Sequence, residues 1–248
     1  TMGTNTFYYA IKLNDGSVLR VAREASNIWT VGGKIFPIIA ATILVMMILC
    51  IILAHFMTKN LVKPIEQMAA LRAMPNFHVF RPCDATETSA AWLSAVTSEK
   101  TPTALVLSRQ NLNPIPGSSK DALKGGYVID DCEGTPDAIL IASGSEVDLA
   151  VKAKAELTAE GKKIRVVSMP CMDLFEEQSE EYKAKVLPKN VRKRVAVEAL
   201  SGFGWDRYVG LDGDIIGMNR FGASAPYSKL FPYFGFTVEN VVARVKAL

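Results

Sequence analysis

The sequence predicts an α/β fold in which helices cover both faces of a mostly parallel sheet, preceded by a β-hairpin and one transmembrane helix. Three observations carry this prediction. Apolar strand-like runs alternate with helix-like segments between residues 103 and 248, a turn signal lies at residues 14–16, and residues 35–56 carry no charge. The chain has 248 residues, of which 49% are hydrophobic and 21% charged, so one large or two modest domains are expected.

The first element is a predicted β-hairpin. Residues 7–13 and 17–22 are strand-like and flank Asn14-Asp15-Gly16, a turn in which the glycine can take a positive φ. A lone hairpin is only marginally stable in water. We therefore expect residues 1–34 to be the end of a larger domain.

The apolar segment is long enough for a transmembrane helix, which we place at residues 35–57. About 20 helical residues cross the hydrocarbon core of a bilayer, and Ile, Leu, Met, Val and Ala dominate here. A buried core helix is the alternative. Basic residues on the two sides are balanced, so the positive-inside rule gives no orientation.

A βαβ unit is predicted in the second half of the sequence. Residues 103–107 and 138–142 are short apolar runs typical of strands buried on both faces. A helix is expected to begin at Glu146, capped by the hydroxyls of Ser143 and Ser145, and to end at Gly161. Residues 164–169 form the next strand, and the crossover should be right-handed.

The remaining sequence continues this alternation. We predict a helix at residues 173–186, strands at 194–199 and 213–218, and a closing helix at 238–248 that is capped by Thr237. Residues 113–119 are the richest turn-and-linker stretch of the chain, so a domain boundary is placed there.

Composition excludes several classes of function. The net charge is +3 and the basic residues are spread among acidic ones, which argues against a nucleic-acid partner. The basic run at residues 192–194 precedes apolar residues and is interpreted as a solvated end of an element, not as a phosphate site. Four cysteines without a C-x-x-C pair, and two histidines, support neither a zinc site nor a disulfide framework.

The first 65 residues resemble bacterial sensor histidine kinases. This resemblance rests on the hairpin, the apolar helix and the run Thr58-Lys59-Asn60-Leu61-Val62-Lys63-Pro64-Ile65, which is similar to the start of a HAMP linker. It implies the end of an extracytoplasmic sensing domain followed by a membrane helix. The family would next show a phospho-acceptor histidine followed by an acidic residue, but His78 lies between apolar Phe77 and Val79.

From about residue 65 to residue 248 the sequence resembles the C-terminal part of transketolase. The segments that carry this resemblance include Arg81-Pro82-Cys83-Asp84, Ser108-Arg109-Gln110-Asn111, Phe221-Gly222-Ala223-Ser224-Ala225-Pro226 and Gly235-Phe236-Thr237-Val238-Glu239-Asn240. The resemblance implies a truncated tail of a pyrimidine-binding domain at residues 58–112 and a C-terminal domain at residues 113–248. It also implies a cytoplasmic location for this part.

The resemblance implies ketol-group transfer between sugar phosphates in the pentose phosphate pathway, with thiamine diphosphate and a divalent metal such as Mg²⁺. It also implies homo-oligomers. Before Pro64 the family would show an Asp-Gly-Pro-Thr-His run, and this chain has residues 58–63 of different sequence instead. The parts that hold the cofactors belong to missing regions. We therefore expect no catalytic, cofactor-binding or metal-binding residue, no cofactor bound by the chain alone, and no activity alone.

Arg109 is the one functional residue that the resemblance transfers, as a ligand for the phosphate of a sugar phosphate. Its position agrees with this role, because it follows an apolar strand at the end where open α/β sheets place their ligands. A guanidinium also suits bidentate phosphate binding. Without the family, a salt-bridged surface residue is the alternative.

Other polar features have plainer interpretations. Ser143-Gly144-Ser145 at a helix start would hold an anion through its amides, but capping explains it as well. Gly202-Phe203-Gly204 lacks the third glycine of a dinucleotide-binding loop. Glu198 lies among apolar residues, where an unpaired carboxylate would be costly, so we expect a paired structural carboxylate.

Three interpretations of the chain stay open. It is a C-terminal fragment that completes a dimeric enzyme, or a sugar-phosphate-binding or protein-interaction module anchored in a membrane through residues 35–56. The third interpretation is a join of two unrelated sequences near Pro64-Ile65-Glu66-Gln67 with no native function. In each case we expect residues 65–112 to be loosely ordered or misdocked, because the strands that should lie beside residues 105–107 are missing. The apolar surface that this exposes should promote association.

Overall fold

The computed structural model describes residues 6–24, 28–57, 67–220 and 222–248. The chain divides into two compact units, Thr1–Val62 and Lys63–Leu248. Each unit is considered by itself below.

The first unit contains the predicted hairpin. Strand β1 (Thr6–Lys12) pairs antiparallel with β2 (Val18–Glu24). Gly16 takes a φ of 83° in the turn, and the Asp15 carboxylate accepts hydrogen bonds from the Ser17 amide at 2.9 Å and the Ser17 hydroxyl at 2.6 Å. The turn chemistry read from the sequence is therefore confirmed.

Helix α1 (Ile28–Met57) follows the hairpin and is 30 residues long. Within it, Gly33–Ala54 is long and apolar enough to cross a membrane, and none of this stretch is buried. A helix packed inside a protein core would bury at least one face. The alternative of a buried core helix therefore has no support in this structure.

The second unit begins with four short elements. These are α2 (Gln67–Arg72), β3 (His78–Phe80), α3 (Ala85–Thr97) and β4 (Thr103–Leu105). Strands β3 and β4 pair parallel in a sheet of two strands among the described residues. Asp84 caps α3 by accepting a hydrogen bond from the Glu87 amide at 3.0 Å.

The expectation for residues 65–112 is met in part where the structure describes them, because Trp92, Leu93 and Val96 of α3 expose apolar surface. Other side chains of this segment are packed, and its looseness stays a prediction.

Val79, Phe80 and Ala91 are fully buried, and Phe80 and Ala91 pack with Cys171 in a small apolar cluster. Leu105 of β4 and Leu174 pack, partly buried, against this cluster. Residues 64–66 lie outside the described residues.

A sheet of five strands forms the centre of the second unit. Its strands are β5 (Tyr127–Asp130), β6 (Ala138–Ala142), β7 (Ile164–Ser168), β8 (Arg194–Val197) and β9 (Asp214–Ile216). Their spatial order is β5-β7-β6-β8-β9, and all neighbours are parallel except β5 and β7. The predicted mostly parallel sheet is confirmed.

Helices cover both faces of this sheet. They are α4 (Glu146–Ala159), α5 (Met172–Glu176), α6 (Glu180–Val186), α7 (Asp206–Val209), α8 (Tyr227–Phe234) and α9 (Val238–Ala247), with a short 3-10 helix at Lys120–Lys124. Because side chains alternate along a strand, Leu140 of β6 packs in the core that contains Leu157 and Val241, whereas Ile139 and Ile141 pack in the core of the other face.

Several local predictions are confirmed and others are corrected. Thr237 caps α9 through the Asn240 amide, and Gly161 lies in the left-handed region just after α4, with a φ of 85°. The single helix predicted at residues 173–186 is two helices, because Ser179 caps a new one at Glu180. The predicted hydroxyl cap of α4 is wrong, since Ser145 makes no capping hydrogen bond.

Two glycines with positive φ provide a matched test of this packing. A Cβ at Gly125 (φ 83°) would lie 2.2 Å from the Phe175 amide nitrogen, whereas a Cβ at Gly161 (φ 85°) would meet nothing within 4 Å. We expect Gly161→Ala to cost about 1 kcal/mol of unfolding free energy from backbone strain alone. Gly125→Ala should cost at least about 2 kcal/mol more.

Urea unfolding of both variants in the full chain measures this difference. Equal losses of unfolding free energy in the two variants would contradict the close packing of the Gly125 turn against α5.

Candidate functional site

Arg109 lies on the irregular segment that follows β4. Strand β4 ends at Leu105, and the Arg109 side chain is exposed. Among the residues that the structure describes, Arg109 has no ion-pair or hydrogen-bond partner. The salt-bridged alternative considered from the sequence therefore finds no partner there, and the guanidinium is free to meet a ligand.

A cavity of about 390 Å³ lies next to this segment. Gln110 and Asn111 line one part of it, and the aromatic side chains of Tyr227, Phe231 and Phe236 line another. Arg109 does not line the cavity. The structure thus places the two residues after Arg109, but not Arg109, at the wall of this cavity.

A buried cluster of arginines and carboxylates lies at the carboxyl ends of β6 and β8. Glu198 directly follows β8 and is 1% exposed. Both Nη atoms of Arg72 donate hydrogen bonds to its carboxylate, each at 2.7 Å, and Trp205 Nε1 donates a third at 2.8 Å. The hydroxyl of Ser143 donates a fourth. Glu198 is therefore the paired structural carboxylate that the sequence predicts.

Arg81 occupies the adjoining part of the same cluster. Its Nη1 donates to the carbonyl oxygen of Ser143 at 2.5 Å and to the carboxylate of Glu146, which is fully buried. The same Nη1 is 3.8 Å from Glu198 Oε1. Glu146 also accepts a hydrogen bond from the Ala199 amide at 3.0 Å.

The charges of this cluster fix the ionisation of its groups. Burial alone would raise the pKa of Glu198, but the hydrogen bonds and charge of Arg72, the charge of Arg81 and the Ser143 hydroxyl outweigh it and lower the pKa to about 2. Burial alone would lower the pKa of Arg81, but the carboxylates of Glu146 and Glu198 raise it. Arg81 and Glu198 are therefore charged at neutral pH.

A second buried carboxyl, Glu87, has a different environment. Its oxygens accept hydrogen bonds from the hydroxyls of Ser168 at 2.6 Å and Tyr127 at 2.9 Å, and from the Cys83 amide at 2.7 Å. Burial raises the pKa of Glu87, because these neutral donors compensate only part of the lost hydration. This group ties α3 to strands β5 and β7.

The cysteines and histidines form no metal centre in the described part of the chain. No group of three His, Cys, Asp or Glu side chains there could hold a metal ion. Cys50, Cys83, Cys132 and Cys171 are free, and burial raises the pKa of Cys171 to about 12. The ring of His78 has Nε2 3.4 Å from Glu177 Oε1, and the His55 side chain lies outside the described residues.

With this geometry in place, comparison with known proteins identifies the second unit. Residues 62–114 match the family profile "Transketolase, pyrimidine binding domain", and residues 125–237 match "Transketolase-like TK C-terminal domain". The chain is 56% identical over 191 residues to the transketolase of Bacillus subtilis, and 56% identical over 187 residues to a probable transketolase of Streptococcus pneumoniae. Each match covers 75% of this chain but only 29% and 28% of the relative.

Solved structures agree with these sequence matches. A transketolase from Leishmania mexicana superposes with a TM-score of 0.70 at 48% identity, over 75% of this chain and 27% of that one. A transketolase from Pichia stipitis in complex with sedoheptulose 7-phosphate gives 0.69 at 46% identity, over 74% and 27%. The chain thus spans less than a third of the length of these relatives.

The fold defines a parallel α/β domain docked to a shorter α/β segment. Together with the matches, it shows that the chain contains transketolase pyrimidine-binding and C-terminal domains, as a fragment of the full-length enzyme. The resemblance of residues 65–248 to the C-terminal part of transketolase is thereby confirmed.

Sequence reasoning missed the arginine and carboxylate cluster. In the sequence, Arg81 stands out only as part of a family motif, and no pattern assigns a partner to Arg72 or Glu146. The one available signal was Glu198, whose apolar surroundings require a counter-charge. The identity of that counter-charge was hidden, because Arg72 is 126 residues away in the chain.

Acid should weaken the second unit through Glu198. Its pKa falls from 4.5 to about 2 on folding, so its contribution is complete above pH 4.5 and is lost as the pH falls toward 2. The shift corresponds to about 3 kcal/mol of unfolding free energy. Between pH 4.5 and pH 2, unfolding of the Glu198→Gln variant should take up about one proton less than unfolding of the unsubstituted chain. The slope of the unfolding free energy against pH, measured by urea unfolding between pH 2 and pH 6, gives this number.

The variant should also be less stable at pH 7, because both arginines lose a buried counter-charge. An unchanged slope between pH 4.5 and pH 2 in Glu198→Gln would show that folding does not lower the pKa of Glu198.

Proposed function

We propose that residues 62–248 act as the C-terminal part of a transketolase, which transfers ketol groups between sugar phosphates, and that the chain alone does not turn over. The observation that carries this proposal is the match of both domain profiles in series along the chain. The relatives are more than three times longer than the matched region, and the catalytic parts of the family are assigned to their remaining length.

Arg109 is the proposed contact for the substrate phosphate. Its guanidinium is exposed and unpaired among the described residues, and it follows a parallel strand at the carboxyl end. A free guanidinium in that place suits a bidentate phosphate contact. Transketolases of Pichia stipitis are solved with sedoheptulose 7-phosphate, xylulose 5-phosphate and fructose 6-phosphate.

The chain by itself is proposed to hold neither thiamine diphosphate nor its metal. The described residues offer no cluster of three metal-ligating side chains, and a divalent ion that anchors a diphosphate prefers several oxygen ligands. Ketol transfer also needs several groups for proton transfer, and the chain has two histidines. We also propose that assembly with the missing domains, in the oligomers typical of the family, completes the site.

A graft into a full-length relative tests the role of Arg109. Residues 67–248 replace the corresponding region of Bacillus subtilis transketolase, and the graft is expected to be active. Arg109→Ala in this graft should raise KM for a phosphorylated sugar about 10- to 100-fold, because a charge-assisted contact is lost. KM for a sugar without phosphate should stay unchanged.

Arg192→Ala is the matched control, since Arg192 is exposed and pairs with Asp212 on the surface. An inactive graft would overturn the proposed function. An equal rise of KM for the sugars with and without phosphate would overturn the role of Arg109 alone.

A second candidate function, attachment to a membrane, is favoured by helix α1. Its stretch Gly33–Ala54 is apolar, exposed and 22 residues long, which is enough to span the hydrocarbon core. We propose a single-pass tether for a binding module, derived from a sensor-kinase-like segment at residues 1–65.

A join of two unrelated sequences is the third proposal. Sequencing of source DNA across codons 60 to 70 distinguishes a natural fusion from such a join.

Extraction from membranes tests the tether. The chain should stay in the membrane fraction after alkaline carbonate and be released by non-ionic detergent. The double variant Val45→Lys/Ile48→Lys keeps the helix length but adds about 5 to 7 kcal/mol to the cost of insertion. It should be released by carbonate alone, and equal behaviour of the two proteins would exclude a membrane span.

A further inference from the structure

The strand order of the five-stranded sheet identifies one crevice as special. From β6 the chain passes to β7 on one side, and β8 with β9 lies on the other side. The carboxyl ends of β6 and β8 therefore frame the point where the strand order reverses, which is where open α/β sheets bind their ligands. Ser143 follows β6 there, and Glu198 follows β8.

Two arginine side chains of the preceding segment fill this crevice. Arg72, from the end of α2, and Arg81, just after β3, reach the carboxylates of Glu198 and Glu146. Their side chains are 8% and 11% exposed. The place of a ligand is thus taken by the chain itself.

The crevice is shaped for guanidinium groups. The two Nη atoms of Arg72 meet the two oxygens of Glu198 in a bidentate pair, a geometry that a planar guanidinium can make and an ammonium group cannot. Trp205 holds the same carboxylate through Nε1, and its ring centre lies 6.0 Å from Arg72 Cζ.

The absence of a side chain at Gly144 leaves space for the Arg81 guanidinium. The φ of Gly144 is 57°, and a Cβ there would lie 2.7 Å from Arg81 Cζ. The backbone fixes the same residue, since the Gly144 amide donates to the Arg81 carbonyl oxygen at 3.0 Å and the Arg81 amide donates to the Pro170 carbonyl oxygen at 2.8 Å.

These contacts decide the nature of the ligand. The loop Ser143-Gly144-Ser145 was a candidate anion site in the sequence, but Glu146 and Glu198 place two carboxylates beside it. The two carboxylates would repel an anion bound at this loop. Their charges are instead neutralised by two cations, the guanidinium groups of Arg72 and Arg81. The crevice is complementary to cations, not to phosphate.

We propose that this crevice is a guanidinium-binding site, which docks residues 67–112 onto the C-terminal domain and accepts a small guanidinium compound when one of its own arginines is removed. The site does not depend on ketol transfer or on Arg109. Because loss of Arg72 removes the bidentate partner of Glu198 and leaves only the 3.8 Å contact to Arg81, the docked segment becomes far less stable. A small guanidinium ion restores both the charge and the paired hydrogen bonds.

Chemical rescue of Arg72→Ala tests this inference. Hydrogen exchange is measured on the full chain in detergent micelles. The variant should lose about 100-fold of the amide protection in β3 and α3. Methylguanidinium at about 10 mM, a concentration too low to denature, should restore at least about tenfold of this loss.

Methylammonium at the same concentration carries the same charge without the planar fork, and it should restore no protection. Arg192→Ala, which loses an exposed surface pair, should neither lose protection in β3 and α3 nor respond to methylguanidinium. If Arg72→Ala does not fold in buffer, the yield of refolding with each ion makes the same comparison. Equal rescue by both ions, no rescue, or full protection of the unrescued variant would overturn the proposal.

Discussion

The neutralisation of Glu146 and Glu198 by Arg81 and Arg72 is the constraint on which the second unit depends. A carboxylate at the end of a buried strand costs several kcal/mol unless a charge and hydrogen bonds compensate it. Replacing such a cluster by apolar residues is often neutral for stability, whereas removing one partner is strongly destabilising. The cluster therefore specifies how the two segments dock more than it adds to their stability.

This constraint also separates the three arginines near the site by role. Arg72 and Arg81 are buried, and their charges are matched by carboxylates. Arg109 is exposed and unmatched within the part of the chain that is described. An arginine already paired with a carboxylate attracts a phosphate weakly, and of these three arginines only Arg109 has no carboxylate partner among the described residues. Arg81 directly follows β3, and Arg109 lies on the segment that follows β4. The docked segment therefore carries both a buried, paired arginine and an exposed, unpaired one.

Local patterns in the sequence were sufficient for most of the fold. The run at residues 138–142 predicted a strand buried on both faces, and β6 is such a strand. Thr237 and Gly161 predicted helix ends because a capping hydroxyl and a left-handed glycine act within one turn. The single helix predicted at residues 173–186 was wrong because residues 176–181 are all polar and carry no apolar pattern, so only the Ser179 cap signals the break.

The candidate site was far less predictable, since its contacts join residues that are distant in the chain. Arg81 and Glu146 are separated by 65 positions, and Arg72 and Glu198 by 126. No periodicity connects such pairs. The same limit applies to residues 65–112, where the sequence predicts the exposed apolar surface of α3 but not the packing of Phe80 and Ala91 against Cys171.

The two units of the chain demand different surroundings. In the first unit, Phe36 is 74% exposed and Val45 is 63% exposed, along a helix whose apolar stretch is unburied throughout. Contiguous apolar surface of this size is rare on monomeric proteins in water and marks a membrane or partner contact. The second unit buries its apolar residues in two cores around a sheet and leaves Arg109 facing solvent. Because the apolar surface of helix α1 and the exposed Arg109 belong to different units, measurements on Arg109 need a medium, such as detergent, that covers helix α1.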